Sequence, residues 1–548
     1  MRNASISIII LCFLTASSAF ADESPKLIAV NRIARKAAAG GLLFNLAADG
    51  VCEHAPFAER IDENSSKKMI LDGYRRLIGR YAVARTTHLL LNVNYQRACY
   101  PSEVWDSYWD VDDPATNVTG WPRTMWLIHK AGVDPYAVCV EYSRKKGISP
   151  WVSMRMNDTH YINDTHKANT FWKEHPEFRC SPGGGLNFAI EEVRLHHLAL
   201  VKEILDRYDI DGLELDWMRF CHHFKPSEGE AGCDTLTEFM RQVDRLAAKA
   251  RDRLGHPVKI AARVPSVPEF SRGLGLDGVA WVQEGLVDTL IVSSTWMPAD
   301  RNTPVERWRE LIGPVKHDYR LAASMGLWVK CDPRGVVMRN DLESARGFTA
   351  NMLDRGADAI YLFNHFNLSD FNYTVAIPDG TRKQHNIFHE LASESTRLPT
   401  ALDKPRRHIL TYHDTAPPGV DNPKPLPAEL ISDKSVRFRI HSGPKPTSGE
   451  VTLRVGLADR PDVWNARIGA RLNGVECRAV NDLNKPGKYV AHNGKGSHVV
   501  WSVAQVAPRV AQFDVPLAAM KRGENRIDLH LKEGSQQKIT WCEVYVVP

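Results

Sequence analysis

The stretch Asp211-Gly212-Leu213-Glu214-Leu215-Asp216-Trp217 limits what this chain can fold into more than any other. Read as a strand, it places alternate side chains on opposite faces: Gly212, Glu214 and Asp216 on one, Leu213, Leu215 and Trp217 on the other. The apolar face can pack beneath helices. Two neighbouring carboxylates on the opposite face are costly to bury without partners or chemistry, so Glu214 and Asp216 are the first candidates for a functional site.

The flanking sequence turns that strand into one unit of a repeat. From Gly41 to about Ser393, short apolar runs alternate with longer amphipathic ones, as in repeated strand–helix units. Eight strands are predicted: Leu42–Ala48, His88–Asn94, Ser149–Met156, Gly212–Trp217, Val258–Val264, Thr289–Thr295, Arg320–Met325 and Ala359–Phe363. Helices are predicted between them, among others over Ile70–Tyr81, Tyr136–Lys146, Ile190–Tyr208, Leu236–Leu254 and Leu342–Arg355. Eight such units match an α/β (β/α)8 barrel. A doubly wound sheet is the alternative, but no Gly-rich phosphate fingerprint follows the first strand.

A barrel gathers functional groups at the C-terminal ends of its strands, and polar residues collect there. Asn45 and Asp49 end the first strand, Asn92 and Asn94 the second, and Arg155, Asn157 and Asp158 the third. Glu214 and Asp216 end the fourth, Arg263 the fifth and Ser294 and Trp296 the sixth, while Asn364 and His365 follow the eighth.

The rest of the chain is read by composition. Arg2, the apolar run Ile6–Leu14 and Ala19-Phe20-Ala21 have the three parts of a secretory signal peptide over 1–21, so a secreted or periplasmic protein is expected, with the barrel over 22–396. No later run is long and apolar enough for a membrane helix, and the charge of +5 is spread out rather than gathered into basic runs, which argues against nucleic acid. The proline-rich, charged segment 397–429 reads as a stiff linker. Residues 430–548 alternate apolar and polar residues between turns, as in an accessory antiparallel β-sandwich. In that domain Trp464, Tyr489, Trp501 and Trp541 suit a structural core better than a sugar-stacking platform. Without the signal segment the cysteines are odd in number, and the expectation is core thiols with one or two bridges. No zinc-type spacing occurs, and no metal or cofactor is expected.

The strand Asp211–Trp217 resembles the fourth barrel strand of glycoside hydrolases, both the chitinase-like family 18 and the family-10-like glycosyl hydrolases of secreted bacterial proteins. Met154-Arg155-Met156-Asn157-Asp158 and His175-Pro176-Glu177-Phe178 are similar to the latter set. The resemblance implies a barrel that hydrolyses a polysaccharide or oligosaccharide. One departure stands out: the position of the chitinase proton-donating glutamate is occupied by Met218. What the resemblance implies for the site is therefore Asp216 as the rim carboxylate, with Glu214 one inward position deeper. A second catalytic group would come from another loop, with Asp158, Asp300 and Glu269 as candidates. Hydrolysis needs two carboxyl groups, about 5 Å apart for retention and farther apart for inversion.

Substrate contacts are expected from Asp49, Asn92, Asn94, Arg155, Asn157, Arg219, Arg263, Trp296, Asn364 and His365. Arg155, Arg219 and Arg263 have two readings: guanidinium groups for an anionic sugar, or counter-charges for Glu214, Asp216 and Asp158. Aromatic residues crowd the loops after the second and third strands, and packing accounts for most of them. His160, His175, His222, His223 and His365 are read as ordinary loop histidines. Two other functions fit the same residues: a carbohydrate-binding barrel that has lost its acid, and a polysaccharide lyase using Arg, His or Tyr.

Overall fold

The computed structural model describes residues 41–52, 61–180, 184–295, 300–363, 365, 372–376, 382–485, 499–500 and 502–548, with backbone alone at Asp49, Cys52, Val499, 372–376 and 382–386. Residues 1–21, read as a signal segment, lie outside that set, as do Trp296, Asn364, Tyr489 and Trp501.

Eight parallel strands close into a barrel: β1 Gly41–Leu46, β2 His88–Asn92, β3 Ser149–Arg155, β4 Gly212–Asp216, β5 Lys259–Pro265, β6 Thr289–Ser293, β7 Arg320–Met325 and β8 Ala359–Phe363. Each predicted strand is present with its ends moved by at most a few residues. The alternation of faces explains the composition. Leu213, Leu215 and their equivalents on other strands join the helices in one large apolar core, while Leu43, Leu90, Trp151, Ala261, Ile291, Ala322, Ala359, Tyr361 and Phe363 fill the barrel interior. Gly212 owes its identity to that interior: a Cβ there would lie 2.5 Å from the Trp151 indole, so the glycine of the motif makes room for the tryptophan.

The C-terminal domain is one antiparallel sheet of nine strands that folds over its own core. Its corner is the strand Val475–Val480, which pairs with Arg467–Leu472 on one side and Arg509–Asp514 on the other. Trp541 is buried in that core with its Nε1 donating to Glu543 at 3.1 Å, and Trp464 is half-buried against the core's edge. Trp541 is thereby a packing residue.

The linker expectation is corrected. Within 397–429 the chain forms a helix, Leu398–Leu402, and two strands, Arg406–Ile409 and Ala428–Leu430, which both pair with Gln537–Val547. Arg406, Arg407 and His408 are buried. Arg407 meets Asp341, Glu343 and Glu543, so its charge is matched inside the contact between barrel and sheet. A Cβ on Gly347 would lie 1.9 Å from the Arg407 carbonyl, so the helix Leu342–Asp354 touches this strand backbone to backbone. The two halves also share a small sheet in which Val499–Val500 runs parallel to Val337–Arg339, itself paired with Trp328–Val329.

The cysteine expectation changes as well. Cys99, Cys139, Cys180, Cys221, Cys233, Cys331, Cys477 and Cys542 are all free and buried, so no bridge forms among the described residues. Among the described residues no helix is long and apolar enough to cross a membrane.

Candidate active site

The registers of β3, β4 and β5 set the site in layers. Trp151 stands beside Gly212, Glu214 between Ser153 and Ala261, and Asp216 between Arg155 and Arg263. Glu214 is 0% exposed. Tyr361 donates to its Oε1 at 2.5 Å and Asn45 to its Oε2 at 3.0 Å. Burial first, and then the charge of Asp216, push its carboxyl up to about 7. Glu214 therefore keeps its proton in mildly acidic solution and gives it up as pH rises through about 7. The Asn45 Oδ1 is buried and without a hydrogen-bond partner among the described residues, and a half-turn of that amide offers it to the neutral carboxyl.

Asp216 is 1% exposed and differently served. Both of its oxygens lie 2.9 Å from Arg263 Nη1, and the backbone N–H of Met218 donates to Oδ1 at 3.0 Å. Arg263 is held in turn by Ser293 Oγ at 3.0 Å and the Ser294 carbonyl at 3.1 Å, and its guanidinium lies 3.7 Å from the centre of the Phe363 ring. Charge, donors and stacking thus fix Asp216 as the oriented carboxylate of the layer. Met218, at the position where the chitinase pattern has its acid, is buried and contributes a backbone donor.

Asp158 forms the second pair. Arg155 Nη1 donates to its Oδ2 at 3.0 Å, and His160 donates to Oδ1 from its backbone N and meets it with Nδ1, both at 2.7 Å. Burial would raise its carboxyl, but the hydrogen bond from His160 and the guanidinium groups of Arg155 and Arg219 outweigh it and hold the acid well below its usual range. Such a group is a poor proton donor. Arg219, lowered to about 10 by burial and then by Arg155, has its Nη2 3.3 Å from His160 Nε2. Arg155 and Arg263 thus serve acids of the protein, as the counter-charge reading has it.

The remaining expected site residues divide. Asn92 points inward and donates to the Ser153 carbonyl at 3.2 Å. Asn94 exchanges hydrogen bonds with the backbone of Arg155, and Asn157 with that of Leu186; both hold loops in place. His365 is buried, lowered to about 3 by that burial, with its Nδ1 at the Phe363 carbonyl. The side chain of Asp49, together with Trp296 and Asn364, lies outside the described residues. Of the loop acids, Glu269 pairs with Arg307 on the exposed surface, while Asp300 is buried between Ser266 and His413. Among the described residues no group of three or more His, Cys, Asp or Glu could hold a metal ion.

Sequence reasoning missed Tyr361, the donor to Glu214, although the inward parity of β8 (Ala359, Tyr361, Phe363) was the signal that could have found it. It also missed His413 and Asp414, which approach the strand ends from the segment read as a linker and carry no local signal.

No family model and no curated protein matches this chain. Among solved structures it is similar to α-L-fucosidase isoenzyme 1 of Paenibacillus thiaminolyticus, at 13% identity over 92% of this chain and 99% of that one, with a TM-score of 0.33. A putative α-L-fucosidase of Bacteroides thetaiotaomicron is matched at 11% identity over 94% and 97% of the two chains, with a TM-score of 0.35. A maltogenic α-amylase of Thermotoga neapolitana is matched at 10% over 91% and 99%, with a TM-score of 0.34. Scores this low carry no activity over to this chain.

Proposed function

We propose that this chain is a glycoside hydrolase that works at the C-terminal mouth of its barrel, with Asp216 as the carboxylate facing the anomeric carbon. The observation that carries this reading is the different service of two neighbouring acids: Glu214 is sealed beneath with its carboxyl pushed up by burial, while Asp216 above is gripped through both oxygens by Arg263 and by the Met218 N–H. A neutral Glu214 relieves Asp216 of a second negative charge. Its own depth, and its bonds to Tyr361 and Asn45, keep it from a leaving-group oxygen. Export to the periplasm or medium belongs to the same proposal, on the strength of the signal-like residues 1–21.

The test is release of reducing ends from a panel of neutral, uronic and sulfated polysaccharides, with Asp216→Asn as the control. Activity on one class that disappears in the variant supports the reading. A second reading, a barrel that binds sugar without cleaving it, is favoured by Met218 at the chitinase acid position and by the ion pairing of both Asp216 and Asp158. Calorimetric binding of an oligosaccharide without release of reducing ends would establish that alternative.

A further inference from the structure

The strand-borne acids leave one role unfilled. Glu214 is sealed in the layer below, Asp158 is held ionised by its partners, and Asp216 is the oriented carboxylate. Cleavage of an unactivated glycoside also needs a group that gives the leaving oxygen a proton.

The chain beyond the barrel supplies a carboxyl group at the right edge. Residues 411–415 are tied to the loop after β6 by successive bonds. Arg301 N donates to Thr411 Oγ1 at 2.8 Å, and His413 Nδ1 lies 2.6 Å from Asp300 Oδ2. Thr295 N donates to Asp414 at 3.1 Å from Oδ1 and 2.9 Å from Oδ2, and Thr415 Oγ1 donates to Oδ1 at 2.9 Å. Thr295 follows Ser294, whose carbonyl holds Arg263, which in turn holds Asp216. One guanidinium and one peptide unit thus join the seats of the two carboxylates. Asp414 is half-buried, so part of its surface stays open, unlike Glu214 and Asp216. Three residues farther on, Pro417 lines a groove of about 300 Å³ together with His222, Phe224, Lys225 and Leu274.

From this arrangement we infer that Asp414 is the acid/base of the reaction, brought to the barrel mouth by the segment that joins the barrel to the C-terminal sheet. The inference rests on the glycosidase reading above. In the first half-reaction the bond from C1 to the leaving oxygen breaks, its electron pair stays on that oxygen, and the Asp414 proton goes to it while the Asp216 carboxylate bonds to C1. In the second, water attacks C1, the ester to Asp216 breaks with its electrons returning to the carboxylate, and the proton lost by water restores Asp414.

The experiment compares kcat/KM of the full chain and of Asp414→Asn on an unactivated oligosaccharide and on the nitrophenyl glycoside of the same sugar, with melting curves for each. Loss of a general acid predicts a fall of about a hundredfold to ten-thousandfold on the oligosaccharide and less than about tenfold on the aryl glycoside, which leaves without a proton. One limb of the pH profile should vanish. If Asp414→Asn melts early, Asp414→Glu, which keeps the charge and moves the carboxyl by one methylene, should show the same split between the two substrates. Equal losses on both substrates, or no loss, overturn the inference while the glycosidase reading stands. A full-length chain that releases no sugar from any substrate overturns both.

Discussion

One cluster of arginine and carboxylate stands at the barrel mouth and another where the helix Leu342–Asp354 meets the C-terminal sheet, and they follow different rules. At the interface Arg407 faces three acids, and Glu543 also binds Arg454 at 3.1 Å. Burial works against the charge of Arg407, but Asp341, Glu543 and Glu343 outweigh it and raise its proton affinity. Burial likewise works against Asp341, and Arg407 outweighs it, so both ends of the pair are locked in the ionised state. At the mouth the acids part company: Glu214 rises to about 7 while Asp158 falls. A buried ion pair is therefore no sign of chemistry by itself. Acids driven apart in proton affinity at the open end of a barrel are a better one.

Substitutions can break this contrast, and the largest effect is expected at the mouth. Asp216→Asn should lower kcat/KM by about a thousandfold or more; the asparagine keeps an acceptor for Arg263 and Met218, so the fold should survive in circular dichroism. An active Asp216→Asn would leave the two clusters without a functional difference.

Arg407→Met should do the reverse. Breaking a buried pair from one side costs about 3–5 kcal/mol, which denaturant titration would read, while the activity of the remaining folded molecules stays at the parental level. Unchanged stability would mean that the interface charges are not what joins the two halves.

Glu214→Gln separates the clusters by pH. With Glu214 raised from 4.5 to about 7, the native chain binds more protons than the unfolded one between those values. The stability contributed by this group is full below 4.5 and is lost as pH rises through about 7, with a slope of up to about 1.4 kcal/mol per pH unit. Stability curves at several pH values should show that slope in the parent and lose it in Glu214→Gln. The same slope in both would assign it elsewhere.

The smallest effect concerns specificity. Arg155 donates to Asp158 and lies 4.2 Å from the Tyr95 ring centre, so Arg155→Lys should weaken kcat on neutral and acidic oligosaccharides alike, by about tenfold, since lysine lacks the planar fork. A rise in KM confined to uronic or sulfated substrates would instead put this guanidinium on the substrate.

The barrel was legible because its strands carry two signals at once, apolar alternation and polar residues gathered at one end. The strand Arg406–Ile409 was not: Arg406, Arg407 and His408 give no apolar alternation, and the acids that meet the buried Arg407 lie far away in sequence. Within the site, strand parity was enough to find Glu214, Asp216 and Arg263. It could not tell which polar atoms were already in use, and Asn94 and Asn157 turned out to hold loop backbone. The seat of Asp414 depends on Thr295, more than a hundred positions earlier, and no local pattern announces a meeting of that kind.

The small shared sheet has a consequence for how the molecule comes into being. Val337–Arg339, inserted between β7 and β8, pairs with Val499–Val500, and the helix Leu342–Asp354 lies against Arg406–Ile409. A ribosome that has just delivered the last barrel strand has therefore made all eight staves and still lacks the pieces that cover this side. The nascent barrel must wait, partly uncovered, for about 140 more residues; at about 5–20 residues per second that is several seconds or longer. A chain cut before Val499 would lack the strand that pairs with Val337–Arg339 and leave that side of the barrel without this cover.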